Sequence, residues 1–206
     1  MVQTRSGSEI PVVVFRVEGS KYTVLYSHGN ATDVGAMYAW YAHMALSLGV
    51  TVVGYDYTGY GPFPGQTTEK QVYQDITAVY EFICKELESN PAKGLLLYGQ
   101  SVGSGPSCYI AHRMPVAGLI LHSPILSGVR VLTTSRLLAC CDIFPNIDRI
   151  RRVNCPVLVI HGEVGPIEVY HLYNSAHNKA LRIYCTLRWL CVLLLGRDKH
   201  IPCTAG

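Results

Sequence analysis

The chain has 206 residues, of which 49% are hydrophobic and 15% are charged, and its formal net charge is +3. This length is enough for one domain with a full-sized hydrophobic core. Its one basic cluster, Arg149 to Arg152, is too small to predict a nucleic-acid-binding surface. The longest apolar run, Trp189 to Leu195, is far shorter than the ~20 residues of a membrane-spanning helix, so we expect no transmembrane segment.

Eight cysteines are spread along the chain, and no two of them form a Cys-x-x-Cys pair. We therefore expect no zinc site and predict no metal or other cofactor. Because no signal sequence opens the chain, we expect a reducing, cytoplasmic compartment, with contact at membranes limited to the periphery.

Strand-like and helix-like segments alternate along the first part of the chain. Runs of β-branched and aromatic residues predict strands at 10–17, 22–27, 50–57, 94–100 and 116–123, the first two being neighbours. Asp33 can cap a first helix, and Thr68 with Gln71 forms a capping box for a second. This order is typical of an α/β fold with a mostly parallel central sheet flanked by helices.

The alternation stops after residue 123, the end of the N-terminal core (1–123). Residues 124–154 are predicted to form a cap-like insertion over the carboxyl edge of the sheet, where ligands bind in open α/β folds. A buried strand is predicted at 155–162. Residues 163–206 form a divergent tail, helix-like over 168–181, in which the closing strand and helix of such a fold are hard to identify. We treat residues 1–206 as one domain.

Gly99-Gln100-Ser101-Val102-Gly103 matches the pattern Gly-x-Ser-x-Gly between a predicted strand and a predicted helix. In this setting the serine lies on a strained turn, and the flanking glycines let the strand and the helix approach each other. The amino end of the following helix favours negative charge at the serine. Ser101 is therefore a candidate nucleophile, and the alternative is a plain tight turn.

An acyl-transferring serine also needs hydrogen-bond donors for the oxyanion that develops during the reaction. The backbone N–H of Val102 is one candidate. The second is the N–H of Asn30, which follows an earlier strand in the loop His28-Gly29-Asn30. Gly29 is expected to permit an unusual backbone turn there, and His28 to brace the loop rather than act as a base. The alternative is that these three residues form only a turn.

Several segments resemble the α/β-hydrolase domain-containing protein 17 family over residues 4–162, namely YTVLYSHGNATD, YDYTGYG, LLLYGQSVGSGP, LILHSPILSGVRV, FPNID and CPVLVIHG. The resemblance implies an α/β-hydrolase fold, here with an incomplete or atypical C-terminal part. It also implies a serine hydrolase that removes palmitate from protein cysteines, with Ser101 as the nucleophile and with Asn30 and Val102 at the oxyanion hole. The implied partner is an acylated protein or a lipid-like ester substrate.

The remaining members of a catalytic triad depart from the family pattern. Gly165 stands where the acid is expected, and the nearby carboxylates are Glu163 and Glu168. His200 is the candidate base, with His171 and His177 as alternatives.

Different classes of function stay open on this basis. The first is a serine hydrolase that cleaves acyl esters or thioesters, with apolar residues of 124–154 lining an acyl pocket or simply packing as a cap. The second is a hydrolase fold without catalysis that binds a lipid or a partner protein, which the missing acid favours. A general esterase or serine peptidase is a further alternative, because a fold does not fix the substrate.

Overall fold

The structure is a computed structural model that describes residues 1–87, 90–127, 143–161 and 180–184. Within these ranges the strands are β1 (Val2–Gln3), β2 (Glu9–Ile10), β3 (Val12–Phe15), β4 (Thr23–Ser27), β5 (Thr51–Tyr55), β6 (Leu95–Gln100), β7 (Gly118–His122), β8 (Val157–His161) and β9 (Ala180–Tyr184). The helices are α1 (Val34–Leu48), α2 (Glu69–Glu86), α3 (Pro91–Gly94), α4 (Ser104–Ala111) and α5 (Asn146–Arg149). Short 3₁₀ turns at Ser101–Gly103 and Ile150–Arg152 precede α4 and follow α5.

The main sheet contains seven strands in the order β3-β5-β4-β6-β7-β8-β9. All its pairings are parallel except that of β3 with β5 at one edge. Every residue of β4 and β5 is buried, as expected for strands whose two faces are both covered. The prediction that the strands near 10–17 and 22–27 are neighbours is wrong, because β5 pairs with both and separates them.

A strand that the sequence did not identify lies after residue 162. Residues Ala180–Tyr184 pair with β8 in parallel, from Val157 opposite Ala180 to His161 opposite Tyr184. This strand has five residues and overlaps the end of the segment predicted to be helical. Five residues are too few to establish the alternating hydrophobic pattern of a strand, and the surrounding tail shows no regular pattern either.

The long helices begin where the sequence predicted. Asp33 Oδ1 accepts a hydrogen bond from the N–H of Ala36, and Thr68 Oγ1 accepts one from the N–H of Gln71. The second half of the capping box is absent, because the Gln71 amide donates to Ser6 and Asp75 instead. The face of α2 that packs into the core carries Val72, Ile76, Val79 and Ile83. No helix in the described ranges has both the length and the apolar character needed to cross a bilayer.

Candidate active site

Ser101 lies on the turn that joins β6 to α4. Its φ is +51°, in the left-handed region that residues with a Cβ rarely adopt. Such backbone strain persists only where the surroundings enforce it, and it is concentrated at functional sites. Here Ser104 Oγ donates a hydrogen bond to the Ser101 carbonyl at 2.5 Å, and that Oγ accepts the N–H of Ile125 at 3.2 Å. The turn is therefore tied both to α4 and to the segment after β7.

The two motif glycines allow a close approach of three elements. A Cβ on Gly103 would collide with the carbonyl oxygen of Ser27, at the end of β4. A Cβ on Gly99 would lie 2.7 Å from the carbonyl oxygen of Gly103. No side chain fits at either position without displacing backbone, which explains the glycines two residues to each side of Ser101.

The loop after β4 packs against this turn. A Cβ on Gly29 would lie 3.7 Å from Cβ of Ser101, which is an ordinary packing distance. Asn30 and Val102 line one cleft together. The structure thus brings Ser101, Val102 and Asn30 to one place. The expectation that Gly29 supplies the unusual backbone turn is wrong, because the left-handed residue of the loop is Ala31, with φ +56°.

His28 is fully buried beneath this loop. Its Nδ1 donates to the carbonyl of Gly29 at 2.8 Å, and its carbonyl accepts the hydroxyl of Tyr57 at 2.7 Å. Its Nε2 lies 3.3 Å from Asp56 Oδ1, within ion-pair range but not aligned as a hydrogen bond. Asp56 Oδ1 also accepts the N–H of Val34 at the start of α1. These contacts fit the interpretation that His28 braces the loop.

A second loop, which follows β5, completes the support, and this role was not predicted from the sequence. The hydroxyl of Tyr60 donates to Asn30 Oδ1 at 2.7 Å. The base of this loop is held by Asp75, whose carboxylate accepts both the N–H and the hydroxyl of Thr58, at 2.8 and 2.9 Å. Burial raises the pKa of the Asp75 carboxyl. The signal in the sequence was YDYTGYG, in which Tyr55 ends β5 and an acid and two further tyrosines follow it.

The cleft beside Ser101 has a volume of about 260 Å³. Its lining includes Asn30, Tyr57 and Tyr60 from the two loops, together with Ile143 and Phe144. Phe144 is held in place because its N–H donates to Glu69 Oε1 at 2.9 Å. The described end of the predicted insertion therefore forms a mainly apolar wall of the cleft.

The structure does not describe the residues predicted to be the catalytic base and acid. His200, its alternatives His171 and His177, and the positions considered for the acid (Glu163, Gly165 and Glu168) lie outside the described residues. Among the residues described, no three His, Cys, Asp or Glu side chains are grouped so that they could hold a metal ion.

The sheet order, the single antiparallel edge strand and the serine on a left-handed strand-to-helix turn together define the α/β-hydrolase fold. Residues 18–146 match the family model described as serine aminopeptidase, S33. Among solved structures, the esterase domain of a Rhodothermus marinus protein has a TM-score of 0.66 at 16% identity and covers 89% of this chain and 84% of its own. Ferulic-acid-bound Est1E from Butyrivibrio proteoclasticus has a TM-score of 0.68 at 18% identity, covering 90% and 88%. At this identity the likeness shows the fold alone.

Curated relatives narrow the class further. The chain is 42% identical over 166 residues to the α/β-hydrolase domain-containing protein aho-3 of Caenorhabditis elegans, covering 79% of this chain and 49% of the relative. It is 40% identical over 164 residues to the human α/β-hydrolase domain-containing protein 17B, covering 79% and 57%. The chain belongs to the α/β-hydrolase domain-containing protein 17 family, which confirms the resemblance and the fold class. It spans about half the length of the curated relatives it matches.

Proposed function

We propose that this chain is a serine hydrolase that cleaves acyl esters and thioesters, with Ser101 as the nucleophile. The observation that carries the proposal is the strained φ of +51° at Ser101, maintained where β6, α4 and the loop after β4 meet. A plain tight turn has no need of a serine in this conformation. The packing of two glycines around it holds the serine next to Val102, which lines the cleft.

In the proposed reaction, Ser101 Oγ attacks the acyl carbonyl as its proton passes to a base. The backbone N–H groups of Val102 and Asn30 stabilise the negative charge that develops on the carbonyl oxygen. The acyl–serine ester forms as the alcohol or thiol leaves with the proton, and water then cleaves the ester by the reverse sequence. We assign the base to His200, and the acid to Glu163 or Glu168 because Gly165 has no side chain to serve.

The substrate proposed is a palmitoylated protein cysteine. The mainly apolar side of the cleft, with Val72, Ile143 and Phe144, suits an acyl chain better than a polar group. Family membership supports an acyl ester or thioester as the substrate. The choice of palmitoyl-cysteine rests on the resemblance noted in the sequence.

A fluorophosphonate probe, which reacts with activated serines, tests the nucleophile. We expect labelling of the intact chain, none after Ser101→Ala, and labelling slowed by orders of magnitude after His200→Ala. Ser107→Ala is the matched control, because Ser107 Oγ is buried in α4, the helix that follows the Ser101 turn, and has no hydrogen-bond partner in the described part of the chain. Its labelling should equal that of the unchanged protein.

A panel of acyl donors then tests the substrate. Hydrolysis of a palmitoyl-cysteine peptide faster than of a short-chain ester or an aminoacyl amide supports the thioesterase assignment. The reverse order points to a general esterase or a peptidase. Absence of probe labelling in correctly folded protein would overturn the proposal, and would favour the second function, lipid or partner binding without catalysis.

A further inference from the structure

A second concave site lies between α2 and α4, and it shares one lining residue, Glu69, with the cleft beside Ser101. This groove has a volume of about 530 Å³. Four basic side chains and two tyrosines dominate its lining: Arg5, Lys70, Arg113, Arg149, Tyr73 and Tyr109. Glu69 is the one carboxylate among the described lining residues, so positive charge is in excess.

The aromatic rings hold two of the guanidinium groups in place. Tyr73 and Tyr109 stack with 4.0 Å between their ring centroids and 6° between their planes. Arg113 Cζ lies 4.7 Å from the Tyr109 centroid, and Arg149 Cζ lies 4.7 Å from the Tyr73 centroid. Contacts of this kind attract the cation to the ring face. They also reduce the side-chain entropy that is lost when a ligand binds.

The positive charge of this groove is only partly neutralised. Glu69 Oε1 lies 3.4 Å from Arg149, and Arg5 pairs at 2.5 Å with Glu81 outside the groove. Neither Lys70 nor Arg113 has an ion-pair partner among the residues that the structure describes. Two exposed cations in the lining of one concave site are therefore available to an anion.

We propose that this groove binds a phosphate group, with Lys70 and Arg113 as its principal ligands and with Arg149 adding to the positive field. Arginine presents a planar fork of donors that matches phosphate oxygens, and lysine binds phosphate as a point charge. A doubly charged anion balances the charge excess better than a single carboxylate. The volume leaves room for an organic group attached to the phosphate.

Titration calorimetry with inorganic phosphate tests the proposal on the full chain. The double variant Lys70→Gln/Arg113→Gln should bind phosphate at least about tenfold more weakly, because two charge-assisted contacts are removed. The control Lys21→Gln/Lys93→Gln removes the same charge from exposed positions outside the groove and should bind as the unchanged chain does. Circular dichroism establishes that all three proteins are folded.

A second arm identifies the source of the phosphate. Each protein is sedimented with phosphatidylcholine vesicles that contain phosphatidic acid. If the intact chain and the control bind these vesicles and the groove variant does not, the phosphate belongs to a lipid headgroup. Binding of inorganic phosphate and of glycerol 3-phosphate without vesicle binding indicates a soluble phosphate compound. Either result supports the site. The proposal is overturned if neither phosphate nor acidic vesicles bind the intact chain, or if the groove variant and the control lose binding equally.

Discussion

The hydroxyl of Tyr60 donates a 2.7 Å hydrogen bond to Oδ1 of Asn30, joining the loop after β5 to the loop after β4. Asn30 is the residue whose N–H we assign to the oxyanion hole, so the bond acts on the site through the position of that backbone group. Tyr60 is a positioning residue in this scheme.

Tyr60→Phe removes the hydroxyl and leaves the ring. We expect kcat for acyl transfer to fall by about three- to tenfold, in line with the net value of one hydrogen bond, while KM and the midpoint of thermal unfolding change little. Tyr22→Phe, at an exposed tyrosine far from the cleft, should leave kcat unchanged. Asn30→Ala combined with Tyr60→Phe should cost less in kcat than the sum of the single changes. Additive effects would show that the two loops act independently.

Gly29 and Gly103 both pack at the nucleophile turn, yet they should differ in their tolerance of a methyl group. Gly103→Ala places a Cβ against the carbonyl oxygen of Ser27, so it should lower the free energy of unfolding by about 3 kcal/mol. Gly29→Ala meets its nearest atoms at 3.7 and 3.8 Å and needs no left-handed φ. It should cost less than about 1 kcal/mol. Denaturant titration of both variants measures the difference, and equal losses would contradict the packing described.

Gly105 and Phe144 form a matched contact between α4 and the wall of the cleft. A Cβ on Gly105 would collide with the Phe144 ring, so Gly105→Ala should be destabilising by about 1–3 kcal/mol. Phe144→Ala removes a buried ring and should cost about 3–5 kcal/mol. The double variant should be more stable than the sum of the two losses predicts, by about 1 kcal/mol or more, because the added methyl group then has space. Strict additivity in denaturant titration would show that the collision is relieved in some other way.

The parts of the fold that the sequence predicted are those with strong local signals. Asp33 and Thr68 cap the helices that they were expected to cap, and the serine turn lies between a strand and a helix. The strand neighbours near 10–17 and 22–27 were predicted wrongly, because pairing is a long-range choice that neither segment encodes alone. In this case β5 offers parallel pairing to β4 and antiparallel pairing to β3.

The same distinction between local signals and long-range contacts applies to the candidate site. Ser101, Val102 and Asn30 were found from motifs, and the structure brings them together. Tyr60 and Asp75 were not found, because their roles depend on contacts across 30 and 17 residues of sequence. In the sequence, the basic segment from Arg149 to Arg152 was only a cluster too small to predict a nucleic-acid-binding surface. The structure instead places Arg149 over Tyr73, a contact across 76 residues of sequence that no local pattern indicates.

The raised pKa of Asp75 predicts how stability depends on pH. Because burial raises this pKa in the folded protein, the folded state holds the proton more tightly than the unfolded chain, where an aspartate titrates near about pH 4. The contribution of this group to the free energy of unfolding is then fully present below about pH 4 and falls as the pH rises through the folded pKa. The slope cannot exceed about 1.4 kcal/mol per pH unit for one proton.

Urea titrations of the unchanged chain and of Asp75→Asn, at a series of pH values from about 4 to about 7, measure this contribution. Asp75→Asn should be less stable throughout, because the amide nitrogen cannot accept the bonds from Thr58. The gap between the two proteins should narrow as the pH rises, since only the unchanged chain loses the proton-linked contribution. A gap that widens with pH for Asp75→Asn would mean that the hydrogen bonds from Thr58 and Gln71 stabilise the carboxylate more than burial disfavours it.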